Sequence, residues 1–387
     1  MVCTSSVLGN ISSVRRNKCG DRCWEGVSAV STMFGPCGVP GELSRVDHGG
    51  TNQRGKRMHA GMAGMFGLAS IALLSAAAVP KARAPTAPPP ELAWAYPVAP
   101  PDTAELDMPS GRYVTPDGKR RLTAAQVDKL TAAEKDWFPQ SHPIPPAVVL
   151  VPGKDQETPC AECHTVNGQG MVGIPDIAGL PADYLLEQLA AFRSGVRTSA
   201  LPHYLGTGVM IATAKAWSQT DLQAAVAYYA SLPRRTPTRV VETEAAPSMR
   251  LERWGWTYLD PTGGPTHSLD GSVAEAPESV DRLFLGDLAN RQFVYVSHAT
   301  LTLGGALIRS GGSAGQPCTT CHGADLRGTA VAPPLAGRDP GYLARQLWDI
   351  RSGARTGGNA KLMQGPARGL TAHDITAVAG YLASLTP

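Results

Sequence analysis

Cysteine is scarce in this sequence, and its distribution limits what kind of protein this is. The 387 residues include eight Cys, of which four lie before residue 58 and four lie in two short runs. The first four (Cys3, Cys19, Cys23 and Cys37) lack the spacing of a zinc ligand set. No Cys is left elsewhere in the chain for a disulfide bond or for a further thiolate ligand.

The chain also lacks a strong excess of charge in its main part. Residues 1–84 carry ten Lys and Arg against four Asp and Glu, a net charge of +6. Residues 85–387 carry 25 against 28, a net charge of −3. No basic patch favours nucleic acid, so we expect no nucleic-acid partner, and electrostatic attraction to any other partner is local. Aromatic residues make up only 6%, and the 33 Pro residues favour short helices joined by irregular loops.

Two short runs contain the other four cysteines. Residues 160–164 (CAECH) and 318–322 (CTTCH) both have the pattern C-x-x-C-H, which is the attachment signature of a c-type haem. Two thiols three positions apart reach the two vinyl groups on one haem edge, and the adjacent His then lies under the iron. The sequence therefore predicts two covalently bound haem c groups, held by Cys160, Cys163, Cys318 and Cys321, with His164 and His322 as the proximal iron ligands.

The regions that follow these runs are two copies of one pattern. Adding 158 to a position in the first copy gives its partner in the second, for example Arg197 and Arg355; the register later shifts by five. A domain of roughly 75 to 90 residues buries little core by itself, and a haem compensates as a large apolar core element. Redox dithiols or zinc clamps are the alternative, but they require neither the following His nor a matched Met.

Met210 and Met363 are the predicted distal iron ligands. Residues 85–387 contain five Met, and only these two correspond between the copies, 46 and 41 residues after the proximal His. We expect each on an irregular segment before the last helix of its domain; the alternative is a Met that fills a gap in the core. Ligation by His and Met leaves no open iron position and raises the potential relative to two His ligands, which favours electron transfer over catalysis.

Other His residues compete with Met for the distal position. His203 lies in the same loop as the first-copy Met but has no counterpart in the second copy, and His373 falls in the first turn of the last helix. We expect both on the surface. His142, His267 and His298 lie outside the copies, and they reach a haem only if their segments fold over it.

Pro175 and Pro333 each lie eleven residues after the proximal His of their copy. A backbone carbonyl there can accept the Nδ1 proton of the His, which fixes the ring orientation and tunes its basicity. The alternative is a Pro that only makes a turn, and the two roles are compatible.

The N-terminal part has the layout of a secretory signal. Basic residues at 54–57 precede Met58, an apolar stretch from Ala60 to Val79, and closing small residues up to Ala84. We therefore predict that 58–84 is a signal peptide and that 1–57 is an upstream extension absent from the mature protein. A retained membrane anchor is the alternative, because the stretch is about long enough to span a bilayer. Covalent haem attachment in bacteria follows export, so both readings predict the periplasm.

The remaining boundaries follow from composition and helix signals. Residues 85–158 form a Pro-rich linker and wrapping segment, with a short helix from Thr123 to near Lys135 and a stretch from 143 to 152 too rich in Pro for a helix. Residues 159–233 and 313–387 form the two haem domains. Helices are expected at 182–194, after Ser218, after Asp339 and after Thr371. Residues 234–312 match neither copy, and a run at 293–296 favours short strands there.

Several matched stretches resemble class I cytochrome c domains. They are the C-x-x-C-H run, a Gly-x-Pro-x-Leu-Ala-Gly-like stretch, a Tyr-Leu-x-x-Gln-Leu helix ending in Ser-Gly-x-Arg, the Met seven residues before Trp217 or Leu370, and a final Tyr-x-Ala-Ser-Leu helix. The tandem arrangement is similar to di-haem cytochromes of the c4 family. The resemblance covers 159–233 and 313–387, about 40% of the chain.

This resemblance implies a mainly α fold with two tandem haem-wrapping domains joined by a segment with short strands. It also implies a periplasmic electron carrier, soluble or anchored by its N-terminal apolar segment, that serves a respiratory chain. The donor would be a dehydrogenase or a quinol-oxidising complex, and the acceptor a terminal oxidase or another cytochrome.

The chain departs from this family in the connection between the copies, which is about 80 residues here and short in the family. The departure argues against close haem–haem contact through a pseudo-two-fold interface. It favours instead a role for the segments before 159 and across 234–312 in docking a partner.

The competing function is a di-haem redox enzyme, either peroxidase-like or oxidising sulfur compounds. A di-haem peroxidase needs one haem with an open distal side, whereas both copies here offer a Met. A thiosulfate-oxidising site often uses a Cys ligand, and no Cys remains. We therefore expect an electron carrier, or the electron-transfer subunit of a larger oxidoreductase, without catalytic residues.

Overall fold

The fold is taken from a computed structural model, which describes residues 85–103, 111–236, 238–253 and 255–387. The predicted signal peptide, the upstream extension and the four N-terminal Cys lie outside the described residues. In the part of the chain that the structure describes, no helix is both long and apolar enough to cross a membrane. The fold is mainly α with short strands, as the sequence predicts.

Residues 85–158 contain little regular structure. Their elements are a 3₁₀ helix (Pro90–Ala95), β1 (Arg112–Val114), β2 (Arg121–Thr123), α1 (Ala124–Val127), a second 3₁₀ helix (Pro139–Ser141) and α2 (Ala147–Leu150). The helix expected to reach Lys135 ends at Val127. The expectation of no helix at 143–152 was wrong, because its prolines flank the single turn of α2 without interrupting it.

This N-terminal segment packs against the first haem domain, against the second haem domain and against the segment between them. Val148 and Val149 are buried in the core of the first domain, as a wrapping segment should be. Leu92 and Tyr96, however, are buried in the core of the second domain. Trp137 donates its indole N–H to the carbonyl of Leu285 at 2.6 Å, in the segment between the domains. The segment therefore ties together parts of the chain that are remote in sequence.

The first haem domain is built from four helices. They are α3 (Ala161–His164), α4 (Ala182–Ser194), α5 (Leu205–Ala216) and α6 (Gln219–Ser231). Helix α4 has the predicted bounds and ends at Gly195, which adopts φ +76°. The predicted cap of α6 is present, because the Ser218 hydroxyl accepts a hydrogen bond from the backbone N–H of Asp221. Helices α5 and α6 both pack against α4.

The connecting segment forms small sheets beside the second domain. Its elements are β3 (Thr238–Glu242), β4 (Ala245–Ala246), β5 (Met249–Leu251), β6 (Thr257–Leu259), β7 (His267–Ser268), β8 (Val273–Pro277), α7 (Val280–Phe284), β9 (Gln292–Val296) and α8 (His298–Ser310). The strands pair as β3-β9-β8, β4-β7 and β5-β6. The central strand β9 contains the predicted 293–296 run; it is parallel to β3 and antiparallel to β8.

Helix α8 is an element that the sequence did not predict. Gly304 and Gly305 lie in its middle, and Gly lowers helix propensity. The two glycines have a packing role, because a Cβ at Gly304 would overlap the carbonyl oxygen of Ala377 in the last helix of the chain. The segment between the copies thus contributes a 13-residue helix to the core around Leu307 and Ile308.

The second haem domain repeats the helix order of the first. Its elements are a 3₁₀ helix (Gly312–Ala314), α9 (Thr319–His322), α10 (Pro340–Ser352), a further 3₁₀ helix (Gly358–Lys361), α11 (Gln364–Arg368) and α12 (Ala372–Ala383). The predicted N-caps are present: the side chains of Asp339 and Thr371 accept backbone hydrogen bonds from Tyr342 and Asp374. Helix α12 packs against both α10 and α8.

The two copies meet through a pseudo-two-fold contact, so the interface that the long connection argued against is present. Arg197 and Arg355 face each other in an antiparallel bridge. The N–H of Thr198 donates to the carbonyl of Ala354 at 2.8 Å, and the N–H of Thr356 donates to the carbonyl of Val196 at 2.9 Å.

The position of the connecting segment explains this contact. Its sheet packs beside α12, where the side chains of Val296 and Val273 lie next to Gly380. Its Gln292 donates to the carboxylate of Asp339 at the start of α10, at 2.7 Å. The connecting segment therefore covers the second domain at α12 and at the start of α10. Residues 354–356, which follow the other end of α10, stay open to contact with the first domain.

Candidate haem sites

Each C-x-x-C-H run forms one short turn of helix. In the first copy Cys160 is the N-cap of α3, and Cys163 and His164 lie in its turn. In the second copy Cys318 is the N-cap of α9, with His322 at its end. Residues at positions i, i+3 and i+4 share one face of a helix. Both thiols and the imidazole of each copy therefore lie on the same side of the backbone, as attachment to one haem edge requires.

The thiols are not arranged as a metal clamp. Within the described ranges no three His, Cys, Asp or Glu side chains converge on one point, whereas a structural zinc site has four ligands. Burial raises the pKa of Cys160 to about 12 and that of Cys163 to about 11. Burial therefore disfavours the thiolate form of both groups.

Both proximal imidazoles are held by the loop that follows them. The Nδ1 atom of His164 lies 3.0 Å from the carbonyl oxygen of Pro175, and that of His322 lies 2.8 Å from the carbonyl oxygen of Pro333. The hydrogen bonds expected at the two prolines are therefore present. A carbonyl can only accept, so Nδ1 carries the proton and Nε2 has a free lone pair.

Burial favours the form of the imidazole that binds a metal. His164 and His322 are 8% and 4% exposed, respectively. Burial lowers the pKa of both rings, because the charged form is poorly solvated there, although the Pro carbonyl opposes this shift. The rings are therefore neutral at neutral pH, and no described residue forms a hydrogen bond to either Nε2 atom. The chain's residues thus fit a c-type haem in both copies.

The two predicted distal ligands lie in different local structures. Met210 lies inside helix α5, so the expectation of an irregular segment was wrong for the first copy. Met363 lies at the N-cap of α11, at the boundary between an irregular stretch and a short helix. Both side chains are partly buried. Met363 packs against Ile350, Ala360 and Ala367, and ligation by either Met stays a prediction.

The competing His residues are engaged elsewhere or lie on the surface. His203 and His373 are exposed, as expected. His298 is exposed and pairs with Glu242 at 2.7 Å, and His267 lies on the exposed strand β7. The Nε2 atom of His142 lies 3.1 Å from Asp136, and its Nδ1 atom lies 3.2 Å from the hydroxyl of Tyr228.

Two arginines that sequence reasoning left without a role position the Met-bearing segments. Arg193 donates to the carbonyls of Ala214 and Trp217 at 2.6 and 2.7 Å, at the end of α5. Its partner Arg351 donates to the carbonyl of Leu370 at 2.8 Å, after α11. The sequence signal for this role was the Arg-Ser-Gly stretch at matched positions of the two copies. A flexible Arg on the surface would have no reason to recur at the same position.

Known proteins match both haem domains. A family model described as cytochrome c matches residues 152–233 and 314–386. Cytochrome c-554(548) of Halomonas halodenitrificans is 43% identical over 68 residues, which are 17% of this chain and 82% of that protein. The chain belongs to the cytochrome c family.

Longer relatives span both copies. Cytochrome c4 of Azotobacter vinelandii is 28% identical over 240 residues, which are 60% of this chain and 87% of that protein. The thiosulfate dehydrogenase electron acceptor of Stutzerimonas stutzeri is 28% identical over 229 residues, 58% of this chain and 78% of that protein. The chain is therefore a c4-like cytochrome with two class I domains and two covalent haem c groups, and it is an electron carrier rather than an enzyme.

Proposed function

We propose that this cytochrome works in the bacterial periplasm, where it takes single electrons from a dehydrogenase and passes them to a terminal oxidase or another cytochrome. The observation that carries this proposal is the pair of C-x-x-C-H turns, each with a buried neutral imidazole held by a Pro carbonyl. The secretory layout of residues 58–84 supports the location.

The donor is proposed from the relatives. One of them is named as the electron acceptor of a thiosulfate dehydrogenase. We therefore place a dehydrogenase of an inorganic sulfur compound first among donors, ahead of a quinol-oxidising complex.

The axial ligands proposed here are His164 with Met210 and His322 with Met363. A bound haem c supplies a one-electron iron couple, and the chain's residues decide how that couple behaves. The carbonyls of Pro175 and Pro333 hold Nδ1 and so orient Nε2, while burial keeps the rings neutral. Met210 and Met363 would complete the iron coordination, which would exclude small ligands and raise the potential.

The donor proposal is tested by anaerobic mixing. The ferric protein with both haems is combined with thiosulfate and a catalytic amount of a thiosulfate dehydrogenase, and haem reduction is followed by absorbance. We expect reduction of both haems with a rate that rises with dehydrogenase concentration. The controls omit either thiosulfate or the dehydrogenase. Reduction no faster than in these controls removes this donor while leaving the carrier function intact.

The location is tested by fractionating cells that produce the full-length chain. A mature N-terminus between residues 77 and 85 in the periplasmic fraction would show cleavage next to the small residues at 76–84. A membrane-bound protein that retains Met58 would establish the anchored form. Haem-free protein in the cytoplasm as the only product contradicts export.

A further inference from the structure

The attachment edge of the first haem site is covered by segments that lie outside the two copies. Burial raises the pKa of Cys163, and the nearby charge of Lys135 opposes this rise. The side chain of Lys135 also lies beside Gly286, where an added Cβ would come 3.1 Å from the Cβ of Lys135. Leu288 and Cys160 pack against the same core. Parts of the N-terminal segment and of the connecting segment therefore cover the edge at which the first haem attaches.

The loop that follows the first C-x-x-C-H run is covered as well. A Cβ added at Gly173 would lie 3.9 Å from the indole ring of Trp256, which belongs to the connecting segment. The guanidinium of Arg345 donates to the carbonyl of Gly173 at 3.0 Å. This loop therefore has neighbours from both the connecting segment and the second domain.

The matching edge of the second haem site is open. Cys321 is exposed. Val331, which corresponds to Gly173 of the first copy, is 61% exposed. Leu362 is 72% exposed, whereas Val209 at the matched position of the first copy is 38% exposed. The two domains thus offer very different surfaces to a protein that approaches a haem edge.

Cys321, Val331 and Leu362 form one surface, which we call the second-domain patch. The hydroxyl of Thr329, two residues before Val331, donates to the carbonyl of Cys321 at 2.8 Å. The side chain of Asn359 donates to the carbonyl of Val331 at 3.2 Å, and Asn359 lies in the 3₁₀ helix just before Leu362. These bonds connect the loop after the second C-x-x-C-H run to the Met-bearing segment.

The charges of the two domains differ in sign. Residues 159–233 carry three Lys and Arg against five Asp and Glu, a net charge of −2, and residues 313–387 carry seven against four, a net charge of +3. Lys361 and Arg368 are exposed and lie before and after Met363 in the sequence. Within the described residues neither forms an ion pair. An exposed apolar patch beside unpaired positive charges fits a partner surface with an apolar centre and an acidic rim.

We propose that the electron donor is a redox protein with an acidic surface that docks on the second-domain patch, so that electrons enter at the second haem and reach the first haem only through it. This inference rests on the proposed carrier function. One electron leaves the reduced donor and converts the ferric second haem to the ferrous form. The second haem is reoxidised when the ferric first haem accepts that electron. In this arrangement the N-terminal and connecting segments cover the first haem and are not themselves the docking surface.

The first part of the test locates the docking site in the protein with both haems. The probe is oxidised flavodoxin, an acidic redox protein, which binds without passing an electron. Binding is followed through the haem methyl NMR resonances of the ferric protein, assigned to each haem with the variants Met210→Ala and Met363→Ala. We expect flavodoxin to shift the resonances of the second haem and to leave those of the first haem unchanged.

The second part reverses the charges beside the patch. Lys361→Glu combined with Arg368→Glu should lower the second-order rate constant for haem reduction by flavodoxin hydroquinone about tenfold at low salt, and less at high salt. Val331→Asp should lower it as well, because a carboxylate then repels the acidic probe. The matched control is Lys215→Glu, since Lys215 corresponds to Arg368 in the first domain and is also exposed. This control should leave the rate constant within about twofold of wild type.

Several results would overturn the proposal. They are equal shifts of the resonances of both haems, shifts of the first haem alone, no shift of either haem, or a rate constant that Lys215→Glu lowers as much as the changes beside the patch. A carrier function remains in each of these cases, provided that dithionite still reduces both haems reversibly. Haems that dithionite does not reduce would overturn the carrier function and this proposal with it.

Discussion

The two haem domains share their motifs and differ in what surrounds them. The first domain buries residues of its own helices together with Val148 and Val149 from just before it. The second buries Leu92, Ala95 and Tyr96 from the N-terminal segment and Leu307 and Ile308 from the connection. The C-x-x-C-H runs recur with the same spacing because covalent attachment of a haem requires it. The rest of each core comes from different segments: residues just before the first domain in one case, and the N-terminal segment with the connection in the other.

The polar surroundings differ as well. Asp349 of the second domain corresponds to Ala191 of the first, and Asp176 of the first corresponds to Pro334 of the second. Asp176 is buried and lies within 3.5 to 3.6 Å of Arg338 and Arg234. Two haems with the same ligands but different buried charges should have different potentials, and a di-haem carrier with unequal potentials has a preferred order of reduction.

The largest effect is expected from removing a distal ligand on one side only. Met210→Ala should abolish Met ligation at the first haem, lower its potential and admit cyanide there, while the second haem keeps its spectrum. Met363→Ala should do the converse. Ferric absorbance in the near infrared reports the Met–iron bond, and cyanide titration counts open irons. Two six-coordinate haems with unchanged potentials in either variant would rule out that Met as a ligand.

Core truncations should separate the stabilities of the two domains. Leu92→Ala removes a fully buried side chain from the second core and should cost about 3 kcal/mol there. Val149→Ala should cost about 2 kcal/mol in the first domain. Urea unfolding, followed through the Met–iron band of each haem, measures both changes. Ile144→Ala, at a 94% exposed position, is the control and should stay within about 0.5 kcal/mol.

Asp349 should give the second domain a pH dependence that the first domain lacks at the matched position, Ala191. Burial raises the pKa of Asp349 to about 6, although hydrogen bonds from Ala200 and Tyr96 oppose this. An acid with a raised pKa in the folded state binds its proton more tightly when folded. Stability from this group is therefore complete below its unfolded pKa of about 3.9 and is lost as the pH rises to about 6.

Between about pH 3.9 and about pH 6, the free energy of unfolding that Asp349 contributes should fall by about 2 to 3 kcal/mol. Asp349→Asn should remove this part of the pH dependence, since an amide oxygen still accepts from Ala200 and Tyr96. Urea unfolding of wild type and variant at a series of pH values measures this pH dependence of the free energy of unfolding. An identical pH profile in wild type and variant would show that Asp349 does not titrate in this range.

The smallest effect should come from the arginines that hold the Met-bearing segments. Arg193→Gln removes two hydrogen bonds to carbonyls at the end of α5, and Arg351→Gln removes those after α11. Each should weaken Met ligation by about 1 to 2 kcal/mol in its own domain only. The temperature at which each Met–iron band disappears gives the comparison. An equal response of both haems would contradict the assignment of each arginine to the Met-bearing segment of its own domain.

Local chemistry made much of the site predictable from the sequence. Capping side chains such as Ser218 and Thr371 fix helix starts within three residues, and the structure has both caps. The hydrogen bonds from His164 to Pro175 and from His322 to Pro333 follow from an eleven-residue spacing within one loop. Short-range patterns of this kind depend on few other parts of the chain.

Long-range contacts were not predictable in the same way. Helix α8 has Gly304 and Gly305 at its centre, which argue against a helix until Ala377 is known to lie beside them. Tyr96 donates to Asp349 across 253 positions of sequence. The contact between Arg197 and Arg355 depends on where the connecting segment packs, and nothing in its composition indicates that.

The central claim is that both haems are closed by His and Met and serve only to carry electrons. One redox titration of the purified protein tests it most directly, with the near-infrared Met–iron band recorded for the ferric form and cyanide added at the end. We expect two one-electron steps, a Met band for each haem and no change with cyanide. A missing Met band on one haem, or ready cyanide binding, would contradict it.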